Sequence, residues 1–160
     1  MQLKIRRYTG LNSYSFGEIS IGDQRYEIAY AHFWQKAAWR IYQLDPKQER
    51  YVFTHPLKTS ATIITNAENV GLGRVTTSDY NLVEFELFDQ NHSLKVESQA
   101  ELLIASNERW SMHQDGEQIG SMTYKEPFAR LDAEAELANP EVLILSSAIL
   151  WMNRERHLRE

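Results

Sequence analysis

The side chains that most often carry out chemistry are scattered through this 160-residue sequence rather than grouped. The five histidines include no pair at the i, i+2 or i, i+4 spacing that directs two imidazoles at one metal ion. The sequence has no cysteine, which excludes a thiol nucleophile, a disulfide and a cysteine metal site. The sequence therefore predicts neither a metal ion nor a cofactor.

The familiar enzyme motifs are missing as well. There is no nucleophile elbow, no P-loop and no dinucleotide fingerprint. The Gly71-Leu72-Gly73 tripeptide is too short for a phosphate loop and predicts a bend in a strand. Glu84 and Glu86 lie two apart on a predicted strand and share a face, which suits either acid–base catalysis or a solvated surface. The sequence favours a protein that is not an enzyme, and a catalytic site assembled from distant residues stays open as the alternative.

Basic side chains are the other candidates for function, because they could bind an anionic lipid head group or an acidic protein surface. Alternation along the first predicted strand places two of them on the same face. The alternative reading is ordinary solvated charge on a strand. The candidate ligand-binding residues are Lys4, Arg6, Arg7, Arg40 and Lys58.

Composition narrows the class of protein. An apolar fraction of 42% and a charged fraction of 24% are typical of a globular chain, and the length predicts a single domain over residues 1–160. A net charge of −5 argues against nucleic acid as a partner. The first residues alternate apolar and basic types without the hydrophobic core of a secretory signal. With no cysteine, this predicts a cytoplasmic protein that lies at most peripherally on a membrane.

Period-2 alternation and polar turns dominate most of the chain and predict short antiparallel strands joined by hairpins. One segment, residues 131–138, is ambiguous, because its composition favours a helix and its strict alternation favours a last strand with an acidic face. Two hairpins are similar in sequence, since residues 66–71 align with residues 115–120. In this alignment Gly71 and Gly120 are equivalent glycines that relieve crowding where a strand bends. Chance recurrence of turn chemistry is the alternative explanation.

The last apolar segment predicts a helix over about residues 140–153. Asn139 is a good N-cap, and Pro140 falls at the first helical position, where its missing N–H costs nothing. Apolar residues at 142–145 and 148–152 point in every direction around the axis, so the helix must be surrounded by protein or lipid. The apolar run is roughly 18 Å long, and a membrane span needs about 20 apolar residues. We therefore expect a core helix and no transmembrane span; a lipid-inserted or partner-binding helix stays open.

A long antiparallel sheet tends to close, which removes its edges, and a wide barrel leaves a lumen that something must fill. The predicted fold is mainly β, a closed antiparallel β-barrel of about ten to twelve strands around the C-terminal hydrophobic helix. Two Glu-x-aliphatic-Gly hairpins, at residues 68–71 and 117–120, and the ending at residues 139–151 resemble the tubby-like superfamily. Its members include tubby C-terminal domains, phospholipid scramblases and plant LURP-one-related proteins. The resemblance covers most of the chain and implies a roughly twelve-strand barrel that encloses the helix.

The resemblance also implies that basic residues on the barrel surface bind phosphoinositide head groups, although no motif assigns those residues here. The predicted function is a non-enzymatic binding module for a lipid head group or a protein partner. Three alternatives remain: a calycin-like barrel with a small hydrophobic ligand in its lumen, an enzyme built from distant residues, and a protein-neutralising partner such as an immunity protein.

Overall fold

The computed structural model describes residues 1–7, 15–33, 36–55, 61–102, 105–126, 129–136 and 139–159. Each strand pairs antiparallel with its neighbours in sequence, and β1 pairs with β12, so the sheet closes into a barrel of twelve strands. This confirms the predicted fold class. The elements are β1 Gln2–Arg6, β2 Ser15–Ile21, β3 Gln24–Phe33, β4 Lys36–Gln43, β5 Gln48–Thr54, β6 Thr62–Asn66, β7 Gly71–Ser78, β8 Leu82–Leu87, β9 Gln90–Leu102, β10 Ala105–Gln114, β11 Glu117–Glu126, β12 Arg130–Ala135 and α1 Pro140–Arg159.

The ambiguous segment at 131–138 contains a strand. Leu131, Ala133 and Ala135 are buried, whereas Asp132 and Glu134 face outward and form the acidic face that alternation predicts. Pairing with β1 on one side and β11 on the other outweighs the helical propensity of these residues. Residues 137 and 138 lie outside the described residues.

The terminal helix begins as the sequence predicts and continues past the predicted end. The side-chain oxygen of Asn139 accepts a hydrogen bond from the backbone N–H of Val142 at 2.8 Å, which caps the first turn. Every residue at positions 142–151 is buried, so the helix is enclosed on all sides. No helix in the described part of the chain combines the length and the apolar character that a membrane crossing requires.

The helix occupies the lumen of the barrel. Tyr51 of β5 donates a hydrogen bond to Glu141 at the start of the helix, at 2.8 Å. Near the other end, the ring of Tyr124 in β11 packs edge-on against Trp151, with centroids 6.2 Å apart. Strands β5 and β11 stand six positions apart in a ring of twelve, on opposite walls. Only a helix between those walls reaches both.

The two ends of the barrel differ. At one end, which we call the turn end, short hairpin turns follow β2, β4, β6, β8 and β10, and the helix begins there. Asn69 and Gly116 adopt φ values of 63° and 87° in two of these turns, a conformation that asparagine and glycine tolerate well. At the other end, the helix-exit end, the helix reaches its last turns.

The two similar hairpins share a β-bulge, but two residues away from the alignment that the sequence predicts. Leu72 in β7 and Ile119 in β11 are the extra residues of the bulges, and each is followed by a glycine. A Cβ on Gly73 would lie 1.8 Å from a carbonyl oxygen of the next strand, and one on Gly120 would lie 2.5 Å from another. A Cβ on Gly71 would meet nothing within 4 Å. Gly73, not Gly71, is therefore the structural equivalent of Gly120.

Candidate ligand-binding face

The outer surface of β1, β12 and β11 carries the candidate site, at the seam where the first and last strands close the barrel. Cross-strand register places nine outward side chains in three rows of three, which we call the seam face. From the turn end to the helix-exit end, the rows are Gln2–Glu134–Ser121, Lys4–Asp132–Thr123 and Arg6–Arg130–Lys125.

Strand alternation fixes the direction of these side chains. In β1, Leu3 and Ile5 are 1% and 0% exposed and contribute to the core, while Lys4 and Arg6 are exposed. The predicted placement of Lys4 and Arg6 on one face is therefore found in the structure. Their role in binding stays a prediction.

Positive charge concentrates in the row nearest the helix-exit end, which consists of Arg6, Arg130 and Lys125. Asp132 in the central row forms an ion pair with Arg130, with an N···O distance of 3.1 Å, and a longer one with Lys125, at 3.8 Å. Among the described residues, Lys4 and Arg6 form no ion pair. The seam face thus carries four cations and two carboxylates on a protein whose net charge is −5.

A shallow depression of about 260 Å³ lies over the seam face. Every seam-face residue except Arg6 and Lys125 lines it, together with Leu3 and Ala133. Pockets for drug-sized ligands usually begin near about 300 Å³, so this one suits a small polar group rather than a large apolar molecule.

The other predicted binding residues lie elsewhere. Arg7 pairs with Glu155 of the helix, so it anchors the helix to β1. Arg40 lies on the outer surface of β4, three strands from β1, and pairs with Glu49 at 2.8 Å. Lys58 lies outside the described residues. The structure therefore brings together Lys4 and Arg6 from the predicted set and separates Arg7 and Arg40 from them.

Sequence reasoning missed two cations of the seam face, Lys125 and Arg130, which flank the connection between β11 and β12. The predicted closure of the barrel could have indicated them, because a closed sheet must pair its first strand with its last. Closure alone does not give the register that aligns Arg6 with Arg130 and Lys125.

A second polar cluster is buried at the helix-exit end. Arg154 of the helix donates to Glu108 of β10 at 2.6 Å, and the two side chains are only 3% and 8% exposed. The guanidinium carbon lies over the ring of Tyr80 and over that of Trp110, 4.3 and 4.7 Å from their centroids, and both contacts are favourable cation–π interactions. The indole N–H of Trp110 also donates to Glu108 at 3.2 Å. The sequence predicts a cation near the end of the helix and does not indicate this buried pair.

This buried cluster fixes the connection between β7 and β8. Arg154 donates to the carbonyl oxygen of Tyr80 at 2.9 Å, and the amide of Asn153 donates to Ser78 and to the carbonyl of Asp79. These contacts hold the end of the helix to the barrel wall. We therefore assign the cluster a structural role.

Two further titratable side chains, Glu84 and His92, lie in surroundings typical of a strand surface and of a protein core. Glu84 is exposed on β8 and accepts a hydrogen bond from the hydroxyl of Thr77 at 3.2 Å. This position is typical of a carboxylate on a solvated strand surface. His92 is buried and stacks on Phe85 with centroids 5.3 Å apart, and burial lowers its pKa. In the described part of the chain, no three His, Asp or Glu side chains come close enough to hold a metal ion.

The seam face can act through charge and hydrogen bonds. Its two lysines and two arginines attract anionic oxygens, and its serine, threonine and glutamine can donate or accept hydrogen bonds. Comparisons with protein-family models, with curated proteins and with solved structures found no match for this chain.

Proposed function

We propose that this protein is a non-enzymatic binding module whose seam face recognises an anionic group, in the first place the phosphate of a lipid head group. The observation that supports this most strongly is the row of three cations beside a depression, on a protein that is acidic as a whole. Concentrating positive charge on one surface against an acidic background favours a specific anionic partner over general attraction to polyanions.

The state of the individual cations supports the same function. Lys4 and Arg6 are exposed and form no ion pair within the described residues, so an anionic ligand would not have to displace a partner. Arg130 is held in position by Asp132 and still has guanidinium N–H groups to donate. Charge-assisted hydrogen bonds from such groups to phosphate are among the stronger polar contacts in proteins.

The supporting scaffold also suits this role. All nine seam-face residues belong to strands of a closed barrel, and sites built on strands are held more rigidly than sites on loops. The resemblance to tubby-like proteins, in which basic residues on the barrel surface bind phosphoinositides, supports a lipid head group as the ligand and a peripheral location on a membrane. A calycin-like function has no comparable support, because the helix fills the lumen.

Vesicle flotation tests the proposal. Vesicles of phosphatidylcholine with a fraction of an anionic phospholipid should carry the protein upward, and vesicles of phosphatidylcholine alone should not. The double variant Lys4→Gln/Arg6→Gln should lose most of this binding. A matched control, Lys95→Gln/Arg74→Gln, removes one exposed lysine and one exposed arginine from β9 and β7 and should retain it. Raising the salt concentration should weaken binding, because exposed charges are screened.

Two results would overturn the proposal. One is a failure of the protein to bind any anionic vesicle at low salt. The other is equal loss of binding in the seam-face variant and the control variant, which would mean that only the total charge matters. An acidic protein partner would then be the next candidate, to be tested on the same two variants.

A further inference from the structure

We infer, building on the proposed function, that the depression on the seam face takes a zwitterionic group, with its anionic oxygens at Lys4 and Arg130 and its ammonium at Glu134. Phosphoethanolamine has this chemistry, either as a lipid head group or as a free small molecule.

The charges that line the depression are balanced. Two of the four seam-face cations, Arg6 and Lys125, do not line it. The charged side chains that do are two cations and two carboxylates, Lys4 and Arg130 with Asp132 and Glu134. A purely anionic ligand in this depression would be attracted by the two cations and repelled by the two carboxylates. A zwitterion can form favourable contacts with both.

Some of these charges already have an ion-pair partner and others do not. Asp132 lies within ion-pair distance of Arg130 and Lys125. In contrast, neither Lys4 nor Glu134 forms an ion pair in the described part of the chain, although both are exposed. One free positive charge and one free negative charge therefore face the same depression.

Lys4 and Glu134 lie on neighbouring strands, β1 and β12. Lys4 stands opposite Asp132, and Glu134 stands opposite Gln2, so Lys4 and Glu134 are diagonal neighbours. The Cα atoms of diagonal cross-strand neighbours lie about 7–8 Å apart. Because both side chains are exposed and can change rotamer, their charged ends can contact the phosphate and the ammonium of a ligand in which a short carbon chain separates the two. The hydroxyls of Ser121 and Thr123 line the opposite side of the depression and can complete the hydrogen bonds.

Titration calorimetry with soluble probes tests the inference. The probes are phosphoethanolamine, inorganic phosphate and ethylammonium, each added to the intact protein. We expect phosphoethanolamine to bind about two- to fivefold more tightly than inorganic phosphate, the size of effect that one additional exposed charge pair of up to about 1 kcal/mol would give. Glu134→Gln should abolish this preference, because it weakens phosphoethanolamine binding and removes a carboxylate that repels inorganic phosphate, whose affinity should stay equal or rise. Glu84→Gln, which removes an exposed carboxylate on β8, should keep the preference.

A vesicle arm identifies the source of the ligand. Vesicles containing phosphatidylethanolamine are compared with vesicles containing the same fraction of phosphatidic acid, for the unmodified protein and for Glu134→Gln. A phosphatidylethanolamine preference that depends on Glu134, with no binding of the soluble probe, supports a lipid-borne zwitterion. A preference for the soluble probe without vesicle binding supports a free small molecule.

The outcomes separate this inference from the proposed function. If Glu134→Gln leaves phosphoethanolamine binding unchanged or strengthens it while phosphate still binds, the ligand is purely anionic; the inference fails and the proposed function survives. If neither phosphate nor any anionic vesicle binds, both fail. Circular dichroism of Glu134→Gln should match that of the unmodified protein, because this side chain is exposed.

Discussion

Two arginine–carboxylate pairs in this barrel have similar chemistry and opposite surroundings. Arg154 and Glu108 lie 2.6 Å apart at 3% and 8% exposure, whereas Arg130 and Asp132 lie 3.1 Å apart at 37% and 29% exposure. Water competes for the second pair and is excluded from the first. Burial, more than residue type, decides whether a charged pair holds a fold together or remains available to a ligand.

The buried pair cannot release its partners without a large cost. Removing one member leaves an uncompensated charge in a site of low dielectric, and such changes typically cost about 3–5 kcal/mol. The exposed pair costs little to break, about 0–1 kcal/mol, and Arg130 can donate its remaining guanidinium N–H groups to an incoming phosphate. The helix-exit cluster is therefore part of the fold, and the seam face can act as a site.

The largest effect should come from the helix that carries the buried pair. Leu145→Asp places a carboxylate in a fully buried position and should destabilise the domain by more than about 5 kcal/mol, enough to prevent folding. Deleting the residues after Asn139 should do the same. Val70→Asp is the matched control, because Val70 is 55% exposed. A truncated chain that stays soluble and unfolds cooperatively in urea would contradict a helix-filled barrel.

The next largest effect tests the two pairs directly. Glu108→Ala should lower the free energy of unfolding by about 3–5 kcal/mol, because it leaves Arg154 buried without its partner. Asp132→Ala should change it by less than about 1 kcal/mol. Urea denaturation followed by circular dichroism measures both. Equal effects of the two substitutions would remove the distinction between a structural pair and an available one.

A smaller effect tests the corrected position of the bulge glycine. Gly73→Ala should cost about 1–3 kcal/mol, because the new Cβ would overlap a carbonyl oxygen of β8 and the strands must shift apart. Gly71→Ala meets open space and should stay within about 0.5 kcal/mol of the unmodified protein. Thermal unfolding of the two variants distinguishes them. The reverse ranking would restore the alignment that the sequence predicts.

The smallest expected effect is a pH dependence of the free energy of unfolding that arises from protonation of His92. Burial lowers the pKa of this imidazole below its ordinary value of 6.5, although the carbonyl of Gln90 partly offsets the shift. As the pH falls below 6.5, the unfolded chain takes up a proton that the folded protein still excludes, so stability decreases until the folded pKa is passed. His92→Gln should flatten this part of the curve of unfolding free energy against pH. An unchanged slope in that variant would assign the dependence to another group.

The sequence was sufficient for the architecture because the relevant signals are local. Asn139 and Pro140 mark the start of the helix, and the unbroken apolar positions that follow require a surrounding protein shell, which the barrel supplies. Alternation in β1 gives the outward direction of Lys4 and Arg6. These features depend on neighbours one to four residues away.

The features of the site that the sequence does not predict depend on contacts between residues far apart in the chain. Lys125 and Arg130 join Arg6 only through the register of the closing strands, and a shift of one residue would turn their side chains inward. From the sequence alone, Arg154 is an ordinary cation near the end of a helix. Only the folded barrel brings Glu108 and the ring of Trp110 into contact with it. The candidate site could therefore be predicted only in part.

The most direct test of this account measures binding and stability on one protein, the double variant Lys4→Gln/Arg6→Gln. Affinity for anionic vesicles should fall about tenfold or more, a change of at least about 1.4 kcal/mol, while the free energy of unfolding stays within about 0.5 kcal/mol of the unmodified protein. Unchanged affinity would contradict the account. So would a loss of affinity matched by a loss of stability, because the seam face would then be part of the fold rather than a binding site.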